Sequence, residues 1–156
     1  MRKSTWVVVL VCLSVVVAGA MAWSASRDPL GGRVEAIVTA SLDGGEPVGF
    51  GPLMRQQDAS ALVVVCPYVP PATVAADTGI DVTETSNESS EASVDLVFAS
   101  GGEVRGTVTL PTSRYDFCSG LGAYDVVPVF GPGVALSARD GDASSGGAEV
   151  LVSLVQ

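Results

Sequence analysis

Two hydrophobic patterns divide the chain. Residues 6–23 read WVVVLVCLSVVVAGAMAW, an apolar run without charge and with a Trp at each end. From residue 33 onward the apolar positions come in short stretches, most of them alternating with polar ones and punctuated by Gly, Pro, Asp and Ser. Alternation with a period of two predicts strands buried on one face. In RVEAIVTAS, Val34, Ala36, Val38 and Ala40 share a face, and Asp43, Gly44, Gly45 and Pro47 then mark a turn. VGFGPLM reads as a weak strand broken by Gly and Pro. ALVVVCPYV is continuously apolar up to Pro67, as expected of a central strand covered on both faces. TSNESSEAS, residues 85–93, reads as a polar, acidic loop.

The second half of the chain alternates more regularly. VDLVFA puts Val94, Leu96 and Phe98 on one face, and Gly101-Gly102 turns the chain. EVRGTVTL follows with Val104, Gly106, Val108 and Leu110 inward. AYDVVPVF carries Pro128, which suits an edge strand. VALSA and AEVLVSLV flank the turn-rich RDGDASSGG and close the chain as a hairpin. Eight or nine short strands, and no 3.6-residue periodicity after residue 23, predict an all-β chain folded as an antiparallel β-sandwich over residues 33–156. An immunoglobulin-like topology is one version of it. Yet no Trp lies between Cys66 and Cys118, and Tyr115 stands three residues before the second cysteine rather than two. Residues 27–32, with Pro29 and two glycines, read as a linker.

The opening 26 residues form a signal peptide or an N-terminal membrane anchor. Arg2 and Lys3 precede an apolar run of 18 residues. As a helix it would be about 27 Å long, close to the hydrocarbon thickness of a bilayer. Its length, with Trp6 and Trp23 at the two interfaces, favours an anchor. Ala18-Gly19-Ala20 and Ala20-Met21-Ala22 offer the A-x-A spacing of a signal-peptidase site. Either outcome keeps the N-terminus in the cytoplasm and carries the remainder across the membrane. Cys12 reads as a small apolar residue within this run.

Export changes the reading of the other two cysteines. In an oxidising compartment Cys66 and Cys118 are expected to be paired, since no C-x-x-C motif points to redox work. Beyond Lys3 the chain carries six basic and seventeen acidic residues, a net charge of −11. No cluster of Lys or Arg provides a footprint for nucleic acid. The acidity suits solubility outside the cell. The expected partner is therefore a protein or envelope component, with the membrane contacted only through residues 6–23 if they are retained.

Chemistry is narrowed further by what is missing. The chain has no His, and its single Lys is Lys3. That removes Ser-His-Asp and Cys-His catalysis, His-based zinc sites, Ser-Lys dyads and Schiff bases. No P-loop motif is present, and no cofactor or metal site is expected. Asp140-Gly141-Asp142 lacks the further ligands of a calcium loop and reads as a solvated turn. Asn87 begins an N-E-S glycosylation sequon, and Glu84, Glu88 and Glu91 around it read as solvating charge.

Carboxylates remain, and one motif among them stands out. In VAADTGIDV, Asp77-Thr78-Gly79 after an apolar stretch resembles the aspartic-protease signature. The resemblance implies a hydrolase in which Asp77 meets its symmetry mate across a dimer and the pair shares a proton to activate water. Gly101 and Gly102 would lie in a flap, and VVPVFG in the segment supporting the active loop. The competing reading takes residues 73–83 as one strand. Val74, Ala76, Thr78, Ile80 and Val82 then face inward, and Asp77 is solvated beside Asp81. The expectation adopted is a non-enzymatic, exported interaction module with no catalytic residue, and the Asp77 hydrolase is its alternative.

Overall fold

The computed structural model describes residues 28–82, 92–119, 121, 128–141 and 147–156. Among these residues, eight strands in two four-stranded sheets make the fold mostly β, consistent with a β-sandwich, and three helices are built onto it. The first helix, α1 (Pro29–Gly44), stands where the pattern suggested a linker over 27–32 followed by a strand over 33–41. Its start is specified locally. Asp28 accepts hydrogen bonds from the N–H groups of Leu30 (3.0 Å) and Gly31 (3.2 Å), and Pro29 occupies the first helical position. Its end is specified by Gly45, which adopts φ 67° and donates its N–H to the Ser41 carbonyl. Leu30, Val34, Val38 and Ser41 are the buried stripe, whereas Ala36 and Ala40 are exposed. The apolar period is thus helical, and the alternation of Val with Ala was a coincidence of small residues.

Two further corrections concern short elements. VGFGPLM forms a two-residue strand, β1 (Val48–Gly49), and then a helix, α2 (Gly51–Gln56). Of the alternating stretch 73–83, the described residues 73–82 do not form a strand. Its first part belongs to α3 (Pro71–Thr78), stopped by Gly79 at φ 72°.

The remaining strands follow the pattern in part, since the short strand Tyr115–Asp116 was not anticipated and residues 123–127 of AYDVVPVF lie outside the described residues. They are β2 (Ala61–Val65), β3 (Ser93–Ser100), β4 (Glu103–Pro111), β5 (Tyr115–Asp116), β6 (Val129–Phe130), β7 (Ala135–Asp140) and β8 (Val150–Val155). One sheet has the order β1-β7-β8-β5 and the other β4-β3-β2-β6. All pairings are antiparallel except β5 with β8. β3 and β4 form a hairpin closed by Gly101 (φ 62°) and Gly102 (φ 85°), the two positive φ values that a two-residue turn of this hand requires. Between Phe98 and Ala99 the register shifts, with Arg105 as the extra residue of β4. Pro128 directly precedes the short edge strand β6, as its chemistry suits.

β2 is buried on both faces, as its unbroken apolar run suggested. Leu62 and Val64 join the main core with Phe50, Met54, Leu96, Phe98 and Leu136. Val63 and Val65 face a second cluster with Val74, Ile80, Val82 and Val97, which α3 and the segment after it cover. α1 lies against β7 and reaches β1 and β4. One fully buried hydroxyl fixes it there: Ser41 Oγ donates to the Glu46 carbonyl (2.9 Å) and accepts from the Ala138 N–H of β7 (3.0 Å).

Cys66 and Cys118 are disulfide-bonded, with Cα atoms 6.0 Å apart. Cys66 follows β2 in one sheet and Cys118 follows β5 in the other, so the bridge ties the two sheets together. Among the described residues no helix is long and apolar enough to cross a membrane, and the apolar run 6–23 lies outside them.

Candidate functional site

The disulfide anchors a turn with unusual backbone geometry. After β2 the chain reads Cys66-Pro67-Tyr68-Val69-Pro70-Pro71. The Val69 N–H donates to the Cys66 carbonyl at 3.3 Å, closing a four-residue turn. Pro67 takes its second position and Tyr68, with φ 67°, its third. That is the type II arrangement, whose third position is normally Gly or Asn. A bulky residue there costs about 1–2 kcal/mol relative to glycine. Tyr68 is 70% exposed and belongs to neither hydrophobic cluster.

The turn is held from both sides. Pro70 is extended (φ −66°, ψ 143°), and the buried Pro71 opens α3. Across the disulfide, Asp116 Oδ1 accepts from the N–H groups of Cys118 and Ser119, both at 2.9 Å, which fixes the second anchor.

A separate polar group lies beside the start of α1. Glu35 Oε1 accepts from Arg114 Nη1 (3.2 Å) and from the Tyr115 hydroxyl (3.3 Å). The Arg114 guanidinium stacks 5.0 Å from the centre of the Tyr115 ring and reaches Glu149 at 3.8 Å. Burial raises the Tyr115 hydroxyl above its usual pKa of 10.0, and the Glu35 charge raises it further, against the opposing effect of Arg114. A cleft of about 330 Å³ lined by Asp28, Glu35, Thr109 and Arg114 opens here. A second, of about 490 Å³, lies on the other side of Asp28 and is lined by Arg33, Gln56 and Gln57. The polar groups named here are largely engaged: Asp28 caps the helix, and Glu35 clamps α1 to the turn between β4 and β5. Asp95, buried in β3, accepts from Thr109 Oγ1 at 2.6 Å. Among the described residues no three His, Cys, Asp or Glu gather as metal ligands.

The residues singled out by motif are placed as follows. Asp77 is exposed in the last turn of α3. The Thr78 hydroxyl donates to the Val74 carbonyl (2.7 Å) and accepts from the Ile80 N–H (3.1 Å). Asp77-Thr78-Gly79 is therefore a helix terminus with a glycine cap. Asp140 ends β7, and the Gly141 N–H donates to the Glu149 carbonyl at 2.8 Å, while Asp142 lies outside the described residues. Asn87, Glu84, Glu88 and Glu91 lie outside them as well.

Sequence reasoning passed over Tyr68 and the Glu35–Arg114–Tyr115 group. For Tyr68 a signal was present, because X-Pro-X-X followed by two prolines marks a rigid turn. For the polar group none was, since its members come from distant segments. No protein-family profile, curated protein or solved structure matches the chain.

Proposed function

We propose that the protein is a non-enzymatic interaction module exposed outside the cytoplasm, anchored through residues 6–23 or released after cleavage within the opening segment. The observation that carries this reading is the disulfide-pinned turn, which presents an aromatic ring to solvent on a backbone stiffened by three prolines. A sheet-to-sheet disulfide favours assembly in an oxidising compartment. It also supports the narrower fold reading, an immunoglobulin-like sandwich. Lack of His, and of any Lys beyond Lys3, favours recognition over catalysis. The domain's acidity, with seventeen carboxylates against six basic residues beyond Lys3, suits an aqueous exterior and a protein or envelope partner.

A membrane-impermeant cross-linker applied to intact producing cells, with parallel hydrolysis assays on the purified chain, tests the proposal. Discrete cross-linked species together with an inert hydrolase panel are expected. Peptide hydrolysis at acidic pH, blocked by a statine-type inhibitor and abolished by Asp77→Asn, would overturn it in favour of an aspartic-protease-like dimer.

A further inference from the structure

β4, the longest of the described strands at nine residues, ends its sheet. It pairs with β3, and among the described residues no strand pairs with its other side. The register fixes which backbone groups that side presents. The Thr112 N–H donates to the Ala92 carbonyl at 2.9 Å, one step beyond the opposed Ser93 and Pro111. Bonded positions alternate along an antiparallel pair. Leu110, Val108 and Gly106 therefore bond to β3, and Thr107 and Thr109 turn their N–H and C=O groups to the open edge. Pro111 falls in the outward set, where its missing N–H costs the ladder nothing. With the bulge at Arg105, it confines the open edge to residues 106–110.

The two clefts beside α1 adjoin this same stretch. Gly106 and Thr107 line the larger, of about 490 Å³, and Thr109 and Leu110 line the smaller, with Asp28 in the wall of both. The larger cleft holds groups that the fold leaves unused. Arg33 and Gln56 are exposed, and neither side chain has a hydrogen bond or ion pair among the described residues. Thr107 Oγ1 is buried without a hydrogen-bond partner. In the smaller cleft, by contrast, Arg114 and Glu35 already pair with each other. Backbone donors and acceptors alternating along a strand edge match an extended polypeptide, which adds to the sheet as a further strand. An uncommitted guanidinium beside that edge matches a carboxylate, which it binds through charge-assisted hydrogen bonds. A second copy of this chain is a poorer occupant, because it would oppose two domains of net charge −11.

Resting on the interaction-module reading, we propose that the open edge of β4 is a contact surface separate from the stapled turn. It takes up an extended segment of a partner protein as an added strand, with a carboxylate of that segment on Arg33. The main chain supplies the pairing, and Arg33 selects among segments.

A random heptapeptide library displayed on phage and panned against the oxidised full chain supplies the probes. Enriched peptides are expected to contain Asp or Glu. Each is resynthesised with one backbone amide N-methylated at a time. Methylation at alternate positions should weaken binding about tenfold or more, and methylation between them should leave it within about threefold, as for a strand bonded along one edge. Arg33→Gln should cost about tenfold or more. Thr107→Pro removes an outward N–H that the β3 ladder does not use and a hydroxyl that has no partner, and it should cost as much. If Thr107→Pro fails to fold, the N-methyl series and Arg33→Gln decide. Binding indifferent to methylation at every position, or unchanged in Arg33→Gln, would overturn the inference. Peptides lost with Tyr68→Ala but kept by Thr107→Pro would also overturn it, and would leave the interaction module standing at the turn. A dimer of the parent in analytical ultracentrifugation that Thr107→Pro dissolves would give the edge to a second copy and overturn it too. Failure to enrich any peptide would count against the edge, while the cross-linking of intact cells judges the module separately.

Discussion

Removing the disulfide is the perturbation whose size follows most directly from the structure. Cys66 and Cys118 close a loop with a sequence separation of 52. In the chain-entropy treatment, opening it returns about 4 kcal/mol of conformational freedom to the unfolded chain. Both cysteines pack against the main core, Cys118 within it and Cys66 at its margin. The double substitution Cys66→Ala/Cys118→Ala therefore keeps the site apolar and removes mainly the link. For a domain of this size each kcal/mol moves the melting midpoint by roughly 3–5 °C, so the variant should melt roughly 12–20 °C below the parent. Thermal and urea unfolding followed by circular dichroism would measure it, with and without reductant. Reductant should bring the parent down to the variant's midpoint and leave the variant unchanged. A difference under about 1 kcal/mol, or a parent insensitive to reductant once both thiols are shown to be free, would refute the argument that the bridge staples the two sheets.

Three further outcomes follow from single groups. Ser41→Ala leaves the buried Ala138 N–H without its acceptor and should cost about 1–3 kcal/mol in urea unfolding. The raised pKa of Tyr115 makes stability fully present below about pH 10, the unfolded value, and lost as the pH rises through the higher folded value. Tyr115→Phe should accordingly flatten the alkaline limb of the stability profile, and an unchanged limb would contradict that. Asp77→Asn removes a negative charge from the C-terminal turn of a helix, where it opposes the dipole. Urea unfolding should find it within about 0.5 kcal/mol of the parent, and any difference should be stabilising.

How far the sequence could be read depended on how far each residue type discriminates between periods. β3 and most of β4 were legible because their pattern is carried by Leu, Phe, Val and Thr, and Gly101-Gly102 supplies a turn that few other pairs allow, but the extra residue Arg105 turns Val104 to the second cluster, away from the face of Val108 and Leu110. β2 was legible as a doubly covered strand because five apolar residues in a row leave no polar face. α1 was not, although its signals were present: Asp28-Pro29 at the start, Gly45 at the end, and Leu30, Val34 and Val38 four apart. Ala36 and Ala40 filled the alternate positions and made a helical stripe pass for a strand, because alanine is equally at home on an exposed helix face. α3 misled in the same way through Ala and Thr, while Pro71 and Gly79 marked its true limits. The disulfide was legible from the cysteine count and the oxidising compartment that the opening segment led one to expect. The exposure and left-handed conformation of Tyr68 were not, because they depend on the Cys66 carbonyl closing a turn that only the folded backbone defines.

The central claim is recognition through the stapled turn. Replacing Tyr68 with the photo-crosslinker p-benzoylphenylalanine in the producing cell tests it most directly, with Ala40, exposed on α1, replaced as the control. The account predicts that irradiation links position 68 to a discrete protein outside the cytoplasm, that excess unlabelled parent chain competes the product away, and that position 40 gives none. No product from position 68, or the same products from both positions, would contradict it.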